Sequence, residues 1–192
     1  MKLQKLASFF PGWLFLLAML TALSPLSVDL YLPAFPAIAE SLNVNSAQIQ
    51  VTLAAYLLGM AVGQLLYGPL SDHFGRKSPL YFGLALYVLA SFACVFANDL
   101  TTLTIARFVQ ALGGSSGVVI SRAVIRDRTK PAQSAKAFSM LMLALGLAPI
   151  LAPLLGGFLL YIMGWRGIFA VLGVTGIVLF ISTHYSMRET HF

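Results

Sequence analysis

The decisive stretch is Gly68-Pro69-Leu70-Ser71-Asp72-His73-Phe74-Gly75-Arg76-Lys77. It lies between two long apolar runs and crowds two glycines, a proline, one acid and two bases into a span too short to be a domain. Charge at this density in an otherwise apolar chain marks a tight loop at a membrane surface. Its pattern is G-x-L-x-D-x-x-G-R-K.

The surrounding composition sets the class. The 192 residues are 59% hydrophobic and only 9% charged, with a mean hydropathy of +0.87. Soluble domains carry about 25% charged residues. A soluble fold cannot hide this much apolar surface, so an all-α integral membrane protein is expected. Strand-like alternation is missing, which argues against a β-barrel. The one cysteine, Cys94, lies in an apolar run and can make neither an internal disulfide nor a metal cluster.

A membrane-spanning helix needs about 20 predominantly apolar residues. Six segments qualify: Gly12 to Phe35, Gln48 to Leu70, Pro79 to Ala97, Leu100 to Ser121, Ala137 to Met163 and Gly167 to Tyr185. They are expected to form one membrane domain over residues 1–192. The N-terminus, with Lys2 and Lys5 before the apolar Trp13 to Leu23, imitates a signal peptide. No clear cleavage site follows and the apolar character continues to Phe35, so an uncleaved first span is expected.

Orientation follows from the basic residues of the short loops. One side collects Lys2, Lys5, Arg76, Lys77, Arg122, Arg126, Arg128, Lys130, Lys136 and Arg188, and the other has only Arg166. Both termini are therefore expected in the cytoplasm. The same distribution accounts for the net charge of +6 as a membrane-flanking belt. It shows neither the aromatic interleaving nor the reading module of a nucleic-acid binder.

Two ionisable residues fall clearly inside spans: Asp29 and Arg107. Facing lipid, each would cost on the order of 3 kcal/mol. Each lies seven residues from the outer end of its span, at Pro36 and Leu100 respectively, or roughly 10 Å deep at about 1.5 Å per residue. At matched depth they are expected to share a cavity as a direct or water-bridged pair. The alternative is a static ion pair that only holds the bundle together. Gln110, one turn from Arg107, either extends a polar face or makes an interhelical hydrogen bond. Pro33 frees a backbone carbonyl near the outer end of the first span, and such breaks are tolerated beside a cavity or a neighbouring helix.

Small residues mark close packing. Gly59 and Gly63 on the second span, and Gly113 and Gly117 on the fourth, lie four apart and let backbones approach. The fifth span carries Gly146, Pro149, Pro153, Gly156 and Gly157. Two prolines four apart in one helix predict a bent element suited to rearrangement.

The opening loop resembles the signature loop of the major facilitator superfamily of secondary transporters. Further matches are Leu103 to Gly113, around Arg107 and Gln110, Ser121 to Asp127, and Trp165 to Phe169. The fifth-span motif resembles that of drug/proton antiporters, with Ala152-Pro153 where Gly-Pro is common. With Asp29-Leu30-Tyr31-Leu32-Pro33, the pattern resembles the Bcr/CflA-like drug-resistance branch.

The resemblance implies a six-helix bundle of two inverted three-helix repeats, corresponding to the N-terminal half of that fold. It implies a substrate and proton route through Asp29, Tyr31, Arg107 and Gln110. It implies a cytoplasmic latch of Gly68, Asp72, Gly75, Arg76 and Asp127. It implies proton-coupled efflux of drugs or other small molecules across the cytoplasmic (inner) membrane, driven by the proton gradient with no cofactor and no metal.

Members of that family have two such halves. Three readings stay open: a truncated antiporter, a half-transporter that works as a homodimer or with a separately encoded second half, and a non-transporting membrane subunit or assembly factor. An intramembrane enzyme is not expected. His73, His184 and His191 fall at the cytoplasmic edge, and the spans hold no nucleophile–histidine pair. Tyr31, Phe35 and Tyr56 suit either amphipathic drugs or the membrane interface, so the sequence does not rank substrates.

Overall fold

The computed structural model describes residues 12–187. Lys2, Lys5 and Arg188, on which part of the orientation argument rests, and His191 lie outside the described residues. Helix α1 covers Gly12–Asp29. It stops there because Pro33 has no N–H to offer the Asp29 carbonyl and its ring would strike that carbonyl. The chain continues through a 3-10 turn at Leu32–Ala34 and the short α2, Phe35–Ser41. Asn43 then reverses the chain with φ at 57°.

Helix α3, Ser46–Phe74, opens with a capping box. The Asn45 side chain accepts from the Gln48 N–H at 2.9 Å, and the Gln48 side chain accepts from the Asn45 N–H at 2.9 Å. Gly75, with φ at 78°, ends it, since a β-carbon is strained in that left-handed region. Helix α4 is Lys77–Val95 and α5 is Leu100–Arg128. Asp99 caps α5, taking the Thr102 N–H at 2.8 Å and the Thr102 hydroxyl at 2.7 Å. Those bonds, the backbone one foremost, hold its carboxyl below the usual aspartate value.

Helix α6 is Pro131–Ser186, a run of 56 residues broken only at Gly164, whose φ and ψ are 69° and 178°. At about 1.5 Å per residue a straight run of that length would far exceed a hydrocarbon core of about 30 Å. The chain folds back at Gly164. Phe15 and Met19 of α1 accordingly line one pocket with α6a (131–163) and another with α6b (165–186). Among the described residues this gives six long apolar rods: α1, α3, α4, α5, α6a and α6b.

The expected loops shrink. The Arg122 to Lys136 connection is almost wholly helical, leaving Thr129 and Lys130 between α5 and α6. Hydropathy detects the apolar core of a helix, whereas Arg and Lys favour continued helix beyond it. Helix α6 runs through Pro149 and Pro153 without leaving helical backbone angles.

Helix α5 is the hub. Its small residues let three helices come close. A β-carbon on Gly59 or Gly63 of α3 would strike the Phe108 or Leu112 carbonyl. One on Gly113 would strike the Gly83 carbonyl and the Tyr87 backbone of α4, and one on Gly117 the Leu20 backbone of α1. Elsewhere, Gly173 and Gly176 seat α6b against Phe92, Val88 and Tyr87 of α4, and Gly156 seats α6a against the Leu30 backbone. Exchanging α1, α3, α4 for α5, α6a, α6b carries α3–α5 into α6a–α1 and returns α4–α6b and α1–α5 to themselves. This is the pairing that two inverted three-helix repeats require.

Gly113→Ala should lower thermal stability by more than about 1 kcal/mol, because two backbones must separate. Gly146→Ala, where nothing lies within 4 Å of the added carbon, should raise it by up to about 1 kcal/mol through helix propensity. Detergent-phase thermal unfolding of the two variants tests the contrast.

Candidate functional site

Arg107 is the largest fully buried side chain, at 0% exposure. Its guanidinium carbon lies 4.1 Å from the ring centre of Tyr56, 4.5 Å from that of Tyr31 and 5.6 Å from that of Phe169. Nη1 donates to Gln110 Oε1 at 2.7 Å. Gln110 Nε2 donates to Ser91 Oγ at 2.8 Å, and Ser91 Oγ donates to the Tyr87 carbonyl at 2.7 Å. Nε and Nη2 have no hydrogen-bond partner among the described residues. A buried cation normally has a carboxylate beside it. Here aromatic faces take that place, each worth about 2 kcal/mol or more once desolvated.

The rings are themselves held. Tyr31 and Thr52 share a hydroxyl hydrogen bond of 2.6 Å, and Thr52 Oγ1 donates to the Ile49 carbonyl at 2.6 Å. The Tyr56 hydroxyl donates to the Ser24 carbonyl at 3.2 Å. Tyr31 also packs edge-on against Phe35 at 4.9 Å and tilted against Phe169 at 5.5 Å. Tyr31 belongs to the irregular segment that follows α1, Tyr56 to α3 and Phe169 to α6b. Three separate elements therefore converge on one side chain of α5.

Asp29 is half-buried. No ion pair joins it to Arg107 among the described residues, so the direct pair expected from matched depth does not form. The helix ends at Asp29, and Tyr31, two residues on, brings its ring against the guanidinium instead. Arg107, Tyr31 and Gln110 are all fully buried inside the bundle. Gln110 makes an interhelical hydrogen bond to Ser91.

A second cluster forms at the opposite end of the bundle. Arg76, 2% exposed, donates through Nε to Asp127 Oδ2 at 2.9 Å. Its Nη1 donates to Asp72 Oδ1 at 2.6 Å and to Ser71 Oγ at 2.8 Å. Burial pushes the Arg76 pKa down, but the bonds to Asp127 and Asp72 more than offset this, and the net shift is upward. The arrangement ties the end of α3 to the end of α5 through the turn. Gly75 makes that turn, whereas Gly68 lies within helix α3 with open space above it. Asp72 accepts from Arg76 and does not cap α4, whose N-cap position is Arg76 with no side-chain cap bond.

The fifth-span motif is dispersed. Gly156 lies on the Leu30 backbone, beside Asp29 and Tyr31, while Gly146 and Gly157 have nothing within 4 Å of an added β-carbon. Pro149 is exposed and Pro153 half-buried. At the end of the bundle away from Arg76, Arg166 donates to the Val95 and Ala97 carbonyls at 3.0 Å each, capping the end of α4. Among the described residues no group of His, Cys, Asp and Glu is placed to hold a metal ion.

Sequence reasoning missed Ser71, Ser91 and Thr52, the hydroxyls that orient the charged and aromatic groups. Serine and threonine are common in apolar helices as packing residues, so no local signal separates these three. Tyr56 was legible only as an aromatic residue of the cavity or interface.

A family model described as the Major Facilitator Superfamily matches residues 17–190. An uncharacterized MFS-type transporter, YdgK of Bacillus subtilis, is 41% identical over 178 residues, covering 92% of this chain and 44% of its own length. A bicyclomycin resistance protein homolog of Haemophilus influenzae is 37% identical over 175 residues, covering 91% of this chain and 44% of its own length. The chain thus spans less than half the length of the curated relatives it matches. A crystal structure of a bacterial homolog of the human lysosomal transporter Spinster, inward-facing and occupied, superposes with a TM-score of 0.82 at 17% identity, over 93% of this chain and 44% of that one. At that identity it shows the fold alone.

Arg76→Gln should destabilise the chain by about 1–2 kcal/mol, by removing the guanidinium that Asp72 and Asp127 share. Arg76→Lys should recover only part of this, since one ammonium cannot reproduce the guanidinium fork. Thermal unfolding at low and high salt tests both. A loss that salt erases entirely would show that Arg76, 2% exposed, is screened like a surface charge.

Proposed function

Because the chain belongs to the Major Facilitator Superfamily, we propose that it is the N-terminal six-helix half of a proton-coupled antiporter that exports drugs or other small molecules. It is a multi-pass membrane protein. In this proposal it resides in the cytoplasmic membrane with the Arg76 cluster and both termini facing inward, and the proton gradient supplies the driving force. The name of the Haemophilus influenzae relative supports the drug reading.

The observation that carries the proposal is Arg107. A guanidinium buried without a carboxylate keeps N–H groups available for one. This one is buried against π-faces with two N–H groups unpaired. It can take a new partner when the surrounding helices move. Asp29, half-buried and two residues from Tyr31, is the acid nearest in sequence to that cage. In the proposed cycle the Asp29 carboxylate holds either a proton or a cationic substrate. The two flows are coupled because they compete for one carboxylate. Rearrangement of the irregular segment 30–34, packed on Gly156 of the proline-bearing arm, transmits the exchange to Tyr31 and Arg107. The Arg76–Asp72–Asp127 cluster acts at the other end as a latch that favours one conformational state.

Rocking of two halves needs a second half. Helices α3 and α6a are the least covered rods, with Leu65 77% and Leu154 72% exposed. They are the faces a second half would cover, whether it comes from a longer chain, a separate chain or a second copy.

In the complete transporter, Asp29→Asn should cut proton-driven efflux at least tenfold while leaving the amount of protein in the membrane unchanged. Dye efflux and pH-gradient collapse in inverted vesicles measure this. Unchanged efflux would reject the assigned role of Asp29. A 192-residue chain that is monomeric in mild detergent and carries no substrate-dependent proton flux would favour the truncated or non-transporting readings, and a dimer with flux the half-transporter.

A further inference from the structure

Helix α5 carries Val119, Arg122, Ala123 and Arg126 on one stripe, at the i, i+3, i+4 and i+7 spacing of a single helix face. Together with Gln64 and Ser71 of α3 and Phe138 of α6a, this stripe lines a cavity of about 410 Å³ at the same end of the bundle as Arg76. Three arginines line it against one aspartate: Arg76, Arg122 and Arg126 against Asp72. The Arg76 guanidinium bonds Asp72 and Asp127. Arg122 and Arg126 make no ion pair or side-chain hydrogen bond among the described residues. They stand four apart on one helix, where like charges repel.

Two general effects account for bases in this region. The positive-inside rule places them at the cytoplasmic edge, and the negative end of the α5 dipole favours Arg126 in the last turn. Neither effect requires two arginines to share one cavity wall with no acid between them. That arrangement fits a ligand carrying its own negative charge. Guanidinium groups bind phosphate oxygens through paired N–H donors, and two of them a helical turn apart can grip one phosphate from two sides. Val119, Ala123 and Phe138 add an apolar wall beside the charged one.

We propose that this cavity is a binding site for a phosphate group, borne by an anionic phospholipid headgroup or by a soluble phosphate, with Arg122 and Arg126 as its ligands. The site is distinct from the Arg107 cage and from the Asp29 route. It lies between α3 and α6a, the rods a second half would cover, so an occupant would sit between the halves of a complete transporter. It shares Asp72 and Arg76 with the latch, so an occupant would lie against the groups that hold that end of α3 to α5.

The test uses the 192-residue chain in phosphatidylcholine nanodiscs. One arm adds increasing fractions of phosphatidylglycerol. A second adds inorganic phosphate, and a third adds sodium chloride at matched ionic strength. A saturable rise in Tm of roughly 2–4 °C or more is expected in the lipid arm, the phosphate arm or both, and none in the chloride arm. A response in the lipid arm alone identifies a headgroup, and one in the phosphate arm a soluble ligand. R122Q/R126Q should abolish the rise, and R122K/R126K should retain a weaker one, with helicity by circular dichroism unchanged in each. The Lys pair keeps the test valid where the Gln pair fails to fold. The proposal is overturned if neither arm shifts Tm, if chloride shifts it equally, or if the Gln pair responds like the parent.

Discussion

A guanidinium sealed inside an apolar bundle is expensive, and the architecture is arranged around making it tolerable. Transfer of a lone ion into a low-dielectric interior costs several kcal/mol even after relaxation. Arg107 meets that cost with one strong hydrogen bond, to Gln110, and three aromatic faces. Those faces come from distant parts of the chain, so the cage forms only if the bundle is correctly assembled. The break after Asp29 delivers Tyr31, α3 delivers Tyr56 and α6b delivers Phe169. The Ser91–Gln110 hydrogen bond fixes the rotation of α4 against α5.

Close backbone approach makes this convergence possible. With a side chain at Gly59, Gly113 or Gly117, helix α5 would stand off from α3, α4 or α1, and the cage would open on that side. The small-residue seam and the aromatic cage are therefore two parts of one packing solution. One supplies proximity in the absence of a hydrophobic drive between helices in lipid. The other supplies a specific polar reason for a single arrangement. The Arg76 cluster repeats the logic at the far end, where Gly75 turns the chain so that one arginine reaches the ends of two helices.

Much of this was legible in the sequence because the membrane restricts the options. Apolar length located the rods, and Gly59, Gly63, Gly113 and Gly117 announced the seam on α5. Charge inside a span singled out Arg107 and Asp29, and the glycine-rich loop announced Arg76 and Asp72, while Asp127 came only with the family resemblance of Ser121 to Asp127. Depth counting failed at the next step. It treated α1 as a straight helix through residue 35, whereas Pro33 ends it at Asp29 and rotates the following residues. An ion pair inferred from depth became a cation–π contact with Tyr31. The helical reach of α5 to Arg128 was hidden as well, because hydropathy stops where the charges begin. The hydroxyls of Ser71, Ser91 and Thr52 carried no periodic signal. Their roles follow only from which atoms they meet.

The account rests on the claim that aromatic faces, Tyr56 above all, hold the buried charge of Arg107. A double-mutant cycle on unfolding free energy, using Arg107→Gln, Tyr56→Leu and the double variant in mixed micelles, measures that coupling directly. The account predicts a favourable interaction of about 2 kcal/mol between the two side chains. A coupling energy indistinguishable from zero would contradict it.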